Sequence, residues 1–374
     1  MKGLRKREDN IKILFAGRFA ESEILSGPER FASSLFYHIS AKQSVTFIQY
    51  FFDGREHSIF RKLFGRQEKT IGTGKIITLG LLRVLPFLAL YRPEVIHLLQ
   101  FERFGVLLYL YRVFFNVKIV YNCHGVVQHE NSVIKNLTGY LMFKDNFCEK
   151  VFMKYSDVIV FPSIAARAKA EEYYKTGRSK TAILPNFAGE EFSAAGHTSL
   201  STGRLKAVIQ HRNHFTQSGM DLLFESAGNV KSPMDVYIVT DIDIRLPGKG
   251  NAAFHKIPLM KAGMLAEFYR DKDVFLSLNS YDTFSIAAAE AMASGLIPVV
   301  TNETGIAAYI NNKINGFKID YGNNNALAET LDMIAGLDRT QIAQLSKAAA
   351  DTAAEFSGEK AFNGYASIYK EPAR

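Results

Sequence analysis

Two cysteines in 374 residues, Cys123 and Cys148, are too few for a disulfide framework and fit a reducing compartment. The chain has no low-complexity tract and no internal repeat at solenoid periods. No apolar run reaches the ~20 residues that a bilayer-crossing helix requires. Residues 76–90 are broken by Arg83 and Pro86, and residues 105–115 carry Arg112. Both runs read as interior helices of an α/β protein, with a membrane-facing helix as the alternative. The first ten residues are basic and lead into a short strand, without a secretory apolar region or a small-residue cleavage site. A cytoplasmic location is therefore expected. Zinc-ligand spacing and aromatic RNA-binding signatures are also missing, so nucleic acid is not an expected partner.

The length suits two domains, each able to bury its own core. A hydrophobic content of 47% and a charged content of 22% are those of an ordinary globular protein. The net charge of +8 favours an anionic partner. The basic excess comes early, at Lys2, Arg5, Lys6, Arg7, Arg55, Arg61, Lys62, Arg66, Lys69 and Lys75. Phe51, Phe52, Phe60 and Phe64 interleave with it. That mixture suits peripheral docking on an anionic membrane surface, the inner face of the cell membrane for a cytoplasmic protein. A merely solvated face is the plainer reading.

Short apolar runs alternate with helical spacing along the chain. Strands are predicted at 12–17, 45–51, 95–99, 118–121, 157–161 and 182–184, with a helix at 29–40 marked by Phe31, Leu35 and Ile39. A second series follows: strands at 206–210, 235–240, 274–278 and 297–301, and helices at 219–227, 285–294, 326–335 and 341–356. This pattern predicts an α/β chain of two doubly wound, Rossmann-like domains with a ligand cleft at the carboxyl ends of both sheets. The first domain spans 1–188, the small-residue stretch 189–203 reads as the linker, and the second domain spans 204–356. A C-terminal helix over 357–374 is expected to pack back on the first domain.

The chemistry concentrates in residues 279–301, NSYDTFSIAAAEAMASGLIPVVT. Asp282 precedes a helix start and Glu290 lies two turns inside the helix. Backbone N–H groups around Thr283, Phe284, Ser285 and Ile286 are the free donors of that start, at the positive end of its dipole. A diphosphate fits there. Asp282 then suits sugar hydroxyls and Glu290 a ribose diol. The plainer reading makes Asp282 an N-cap and Glu290 a surface residue.

This segment resembles family 4 glycosyltransferases, whose pattern is an acid, G-F-G, then E-A-M-A-x-G-x-P-V-V. Here it reads Asp282-Thr283-Phe284-Ser285, Glu290-Ala291-Met292-Ala293-Ser294-Gly295 and Pro298-Val299-Val300. Gly305, Asn315-Gly316-Phe317, Leu184-Pro185-Asn186, Tyr121-Asn122-Cys123-His124-Gly125 and Ser26-Gly27-Pro28-Glu29-Arg30 extend the similarity along the chain. The resemblance implies the GT-B fold and a retaining transfer of a sugar from a UDP- or GDP-sugar to a lipid-linked or polysaccharide acceptor. No metal or other cofactor is expected. It also implies roles. Glu290 would hold the nucleotide ribose, and Asp282, with the backbone at Phe284, Ser285 and Ile286, the donor sugar. His124 and Arg212 would lie at the reacting centre, and Gly27 would let the backbone approach phosphate or acceptor.

Several positions depart from the family. The first acid is normally glutamate, one methylene longer than Asp282. The G-R…K-G pattern appears as His211-Arg212 and then Gln217-Ser218-Gly219, so its lysine is missing; Arg204, Lys206 or His214 are candidate substitutes. The missing lysine motivates a second class of function, a catalytically impaired GT-B partner subunit that binds nucleotide sugar or a partner enzyme. A sugar-nucleotide epimerase of the same fold is a third. Asp241-Ile242-Asp243 resembles the metal-binding motif of the other glycosyltransferase fold, GT-A, although solvated loop acids are the better reading. Ser163, after Pro162, has no G-x-S-x-G frame and is not read as a nucleophile.

Overall fold

The computed structural model describes residues 11–19, 27–41, 44–51, 58–133, 138–193, 203–212, 219–248 and 250–373. Lys2, Arg5, Lys6, Arg7, Ser26, Phe52, Arg55, His214, Gln217 and Ser218, together with linker residues 194–202, lie outside the described residues.

The chain forms two sheets. The first contains β1 (Ile13–Ala16), β2 (Thr46–Tyr50), β3 (Arg66–Ile71), β4 (Gly74–Leu79), β5 (Val95–Leu98), β6 (Lys118–Asn122), β7 (Val158–Phe161) and β8 (Lys180–Ile183) in the order β3-β4-β2-β1-β5-β6-β7-β8. The second contains β9 (Leu205–Gln210), β10 (Met234–Val239), β11 (Ala252–Ile257), β12 (Val274–Ser277), β13 (Ile297–Thr301) and β14 (Phe317–Ile319) in the order β11-β10-β9-β12-β13-β14. All pairings are parallel except the β3–β4 hairpin. Central strands such as β1, β7, β12 and β13 are buried at every residue. Their unbroken apolar runs reflect helices packed on both faces of each sheet. In both sheets the strand order reverses beside the first strand, β1 or β9, which opens a crevice at the carboxyl edge.

The helix Gly358–Lys370 closes the chain against the first domain. Ala361, Phe362, Tyr365, Ile368 and Tyr369 join the core made by Phe15, Phe31, Leu35 and Val120. A buried polar chain fixes its register: the Tyr369 hydroxyl lies 2.7 Å from His97 Nδ1, His97 Nε2 2.9 Å from Asn122 Oδ1, and Asn122 Nδ2 donates to the Tyr365 hydroxyl at 2.8 Å. Burial pulls His97 down to about 3, so it stays neutral and fully paired within this chain.

Several expectations are corrected. The run at 76–90 is not one helix: Ile76, Ile77 and Leu79 are core residues of β4, and a separate helix spans Val84–Tyr91. Phe51 is buried rather than part of a surface mixture, with the Arg61 guanidinium 5.1 Å above its ring. β3 is an exposed edge strand whose Glu68 binds both Arg66, at 3.1 Å, and Lys75, at 3.0 Å. Charged side chains on an edge strand oppose pairing with another chain. β11, β14 and the helix Ala262–Tyr269 were not foreseen. Within the expected linker, Glu190–Ser193 is a helical turn and Phe192 is buried in the second domain's core. The GT-A alternative is overturned by the two-sheet architecture, and Asp243 follows β10 as a solvent-exposed residue whose Oδ1 lies 3.6 Å from Lys256 Nζ.

Candidate active site

The first described residues of two helices meet across the cleft. The helix Gly27–Ser40 follows β1, and the helix Ile286–Ala293 follows β12. They approach so closely that a Cβ on Gly27 would lie 3.2 Å from Ile286 Cδ1. A cavity of about 360 Å³ opens between them. Gly27, His124, Arg212, Asp282, Phe284, Ser285, Ile286 and Glu290 all line it, so residues remote in sequence meet at one place. Arg30, Glu130 and Asn186 line it as well. Volume and polar convergence suit a small-molecule site.

The loop before the second helix is tightly built. Asp282 Oδ1 accepts from the backbone N–H of Phe284 and of Ser285, each at 3.0 Å, and Asn279 Nδ2 donates to Oδ2 at 3.1 Å. The two amides expected to face a donor sugar are thus held by Asp282 itself, because a loop aspartate reaches the backbone N–H groups two and three residues on; Ser285, not Asp282, is the residue that caps the helix. Burial raises the Asp282 pKa while these bonds oppose the rise. Phe284 sends its ring into the core against Phe356 and Tyr309, leaving only its backbone near the cavity. Ser285 stands where the resembled pattern has glycine and adopts φ 74°, a left-handed conformation that costs a non-glycine residue about 1–3 kcal/mol. Its hydroxyl lies 2.9 Å from that of Ser277.

Thr283 rivets the loop to the first domain. Its hydroxyl donates to the His124 carbonyl at 2.5 Å, and its own carbonyl accepts from the Ser163 hydroxyl at 2.7 Å. Ser163 also caps the helix Ile164–Tyr173, accepting from Ala166 N at 3.0 Å, so it is a structural residue. Gly305 leaves room for this joint: a Cβ there would lie 2.1 Å from the Thr283 carbonyl and 2.5 Å from Ser163 Oγ.

His124 ends β6 with its ring edge-on to Phe31 at 4.7 Å. Burial pulls its pKa down to about 4, against a hydrogen bond with the Leu99 backbone, so the ring is neutral at physiological pH. Among the described residues, Nε2 is buried without a hydrogen-bond partner. The Leu99 bond must therefore use Nδ1, which leaves Nε2 an acceptor at the cavity. Glu130, six residues on, packs against the following glycine: a Cβ on Gly125 would lie 2.1 Å from Glu130 Oε1. Burial, with the Asp282 charge adding to it, raises Glu130 to about 7. Its signal in the sequence was only its distance from the His124-Gly125 pair.

Glu290 is 1% exposed and forms an ion pair with Arg30 of the opposite domain. Burial raises the Glu290 pKa and the Arg30 charge opposes it. Arg212, at the end of β9, lies close enough that burial and the Arg30 charge both lower its pKa. The surface reading of Glu290 is excluded. Arg30 belongs to the Ser26–Arg30 motif, but sequence gives no means of pairing positions 30 and 290.

Among the described residues no helix is long and apolar enough to cross a membrane. Beyond the cavity, the described outer face of the first domain carries Leu110, Val113, Phe114, Tyr140, Phe143 and Phe147 exposed.

The architecture and the cleft define a two-domain GT-B protein. Sucrose-phosphate synthase from Thermosynechococcus elongatus superposes with a TM-score of 0.74 at 15% identity, covering 96% of this chain and 98% of that one. Anabaena HepE in complex with UDP and glucose gives a TM-score of 0.70 at 13% identity over 96% and 99% of the two chains. A trehalose-6-phosphate protein from E. coli bound with UDP-2-fluoro glucose gives 0.69 at 10% identity over 96% and 99%. Residues 253–350 match the family model for glycosyl transferases group 1. The second domain therefore carries a group 1 glycosyltransferase segment on the GT-B fold, as the motif at 282–300 led one to expect. No curated protein matches the chain.

Proposed function

We propose that the chain is a retaining family 4 glycosyltransferase that moves a sugar from a UDP- or GDP-sugar to a lipid-linked or polysaccharide acceptor at the cytoplasmic face of a membrane. The observation that carries the reading is the cavity where two helix starts, Glu290 and two arginines converge. Helix starts and arginines favour a diphosphate, and a buried carboxylate favours a hydroxyl-bearing ribose. Departure of the diphosphate leaves positive charge on the sugar. The acceptor hydroxyl attacks from the same face, and its proton passes to a leaving phosphate oxygen. His124 Nε2 accepts from a donor-sugar hydroxyl, while Asp282 holds the loop against which that sugar rests. Arg212 and the helix dipole stabilise the leaving group without a metal. Structural relatives solved with UDP or a UDP-sugar support a nucleotide-sugar donor.

The membrane part of the reading rests on the first domain's outer face. Along the helix Gly139–Tyr155, exposed Tyr140, Phe143 and Phe147 recur on one side beside exposed Lys144, Lys150 and Lys154. The neighbouring helix Val106–Phe114 adds exposed Leu110, Val113 and Phe114. An apolar stripe flanked by lysines suits an anionic lipid surface. This face serves better than the edge strand β3, where Glu68 already neutralises Arg66 and Lys75.

The partner-subunit reading is favoured by one observation, the occupation of the Phe284 and Ser285 amides by Asp282. Release of free sugar from a panel of UDP-, GDP- and ADP-sugars decides between the two. An active enzyme hydrolyses at least one donor slowly and keeps doing so in EDTA. Loss in EDTA with recovery in Mn²⁺ would overturn the metal-free mechanism, and binding without hydrolysis or transfer would favour the partner subunit.

A further inference from the structure

Among the described residues lining the cavity, the permanent cations are Arg30 and Arg212, and His124 is neutral. Facing them are the carboxyl groups of Asp282, Glu290 and Glu130. A diphosphate brings further negative charge into this acid-rich space. One half-charge at the start of the helix Ile286–Ala293 and a single arginine do not balance it. Arg30, the second cation, is engaged by Glu290, the carboxylate that suits the ribose. Its position permits another partner. Arg30 is in the first turn of the helix Gly27–Ser40, whose start abuts Ile286, so its flexible side chain hangs beside the place where a diphosphate meets the second helix.

We propose that Arg30 exchanges partners during donor binding: it neutralises Glu290 while the site is empty and turns to the diphosphate when the ribose hydroxyls take its place on Glu290. With the site empty Glu290 is paired with a cation, and with the donor bound its oxygens accept from two ribose hydroxyls, so the buried carboxylate keeps hydrogen-bond partners in both states. The ribose delivers two O–H donors to Glu290, and the guanidinium finds phosphate oxygens that match its planar fork. Arg30 is thus a substrate-binding residue contributed by the opposite domain, and donor binding is read by both domains at once. The inference rests on the ribose reading of Glu290, and its test keeps the two apart.

Isothermal titration with UDP, GDP and ADP identifies the tightest nucleoside diphosphate, which is then compared with its own nucleoside. Arg30→Gln should lose about tenfold or more in diphosphate affinity, the scale of a charge-assisted contact. The nucleoside should bind the same variant as tightly as wild type or more tightly, because Glu290 is no longer occupied. Arg30→Lys should restore part of the loss, and the salt dependence of diphosphate binding should be shallower in Arg30→Gln than in wild type. Glu290→Gln reports separately: a fall in nucleoside affinity supports the ribose reading, and no change overturns that reading and, with it, the exchange built on it, whereas the Arg30→Gln outcomes overturn the exchange alone. The exchange is overturned if Arg30→Gln, folded by its melting curve, binds the diphosphate as wild type does. It is equally overturned if diphosphate and nucleoside weaken by the same factor, which marks a structural clasp between domains. Failure of wild type to bind any of the three diphosphates overturns both readings.

Discussion

The two domains share a doubly wound plan and differ in where they keep their unsatisfied chemistry. In the second domain the large apolar side chains exposed among the described residues are Met264, Ile314, Tyr321 and Met333, scattered singly. Its polar groups point into the cleft and are bonded there: Asp282 to two amides, Glu290 to Arg30, Ser285 to Ser277. The first domain leaves Leu110, Val113, Phe114, Tyr140, Phe143 and Phe147 exposed on packed neighbouring helices. Concentrated apolar exposure marks an interaction surface, whereas scattered apolar residues are ordinary. One domain is therefore finished on its outside and organised around a small ligand. The other leaves an apolar patch uncovered on its outer face.

That contrast can be broken most severely where the domains are riveted. Gly305→Val places side-chain atoms against the Thr283 carbonyl and Ser163 Oγ. A loss of about 3 kcal/mol or more is expected, seen as a lower denaturation midpoint with weaker protection of both the 279–285 loop and the 163–173 helix in hydrogen exchange. Protection lost in the second domain alone would show that the joint does not couple them.

Glu290→Ala strips the cleft of its deepest carboxylate. Nucleotide affinity should fall by about 1–3 kcal/mol, the worth of hydrogen bonds to a charged group, in a folded variant whose vesicle binding is unchanged. Calorimetry checks the first part and flotation the second.

Glu130 tests the cleft through pH. Its folded pKa of about 7 lies above the ordinary carboxyl value, so the folded state holds the proton more tightly. The stability it contributes is complete below about pH 4.5 and is lost as pH rises through about 7. Wild type should lose on the order of 1–3 kcal/mol relative to Glu130→Gln across that window. Parallel stability curves for the two proteins from pH 5 to 8 would refute the assignment.

The outer face of the first domain should yield smaller, additive changes. Each lysine near an anionic bilayer contributes about 1 kcal/mol. Lys144→Glu with Lys150→Glu should release the protein from anionic vesicles at low salt, and Phe143→Ser should weaken binding further without touching donor affinity. Charge reversal at Arg66 is expected to matter less, given its pairing with Glu68. Equal flotation with neutral lipid would defeat the electrostatic part of this picture.

Smallest of all is Ser285→Gly. Relief of the left-handed serine should stabilise the second domain by about 1 kcal/mol, offset in part by the lost bond to Ser277. Destabilisation instead would mean that the hydroxyl pair outweighs the backbone strain.

Local pattern carried most of the second domain's centre. Unbroken apolar runs such as 297–301, a small-residue helix at 286–293 and the glycine that ends it are determined by spacing and side-chain volume alone, so strand, helix and the placing of Asp282 ahead of Glu290 were legible. β11, whose burial does not alternate along the strand, and the three-residue β14 give too weak a period to be seen. The β3–β4 hairpin was hidden because its edge strand is polar and exposed for most of its length, and charge next to phenylalanine reads equally as a lipid-binding surface. Glu290 could be nominated from its helix position, but its partner could not. Arg30 and Glu290 are 260 residues apart, and only the docking of two helix starts across the cleft brings their charges into contact. The same docking decided that Asp282 would hold its own loop, that His124 would keep a neutral ring with one free acceptor, and that Gly305 could carry no side chain. Each of these depends on burial and distance between segments remote in sequence, quantities that a one-dimensional pattern does not contain.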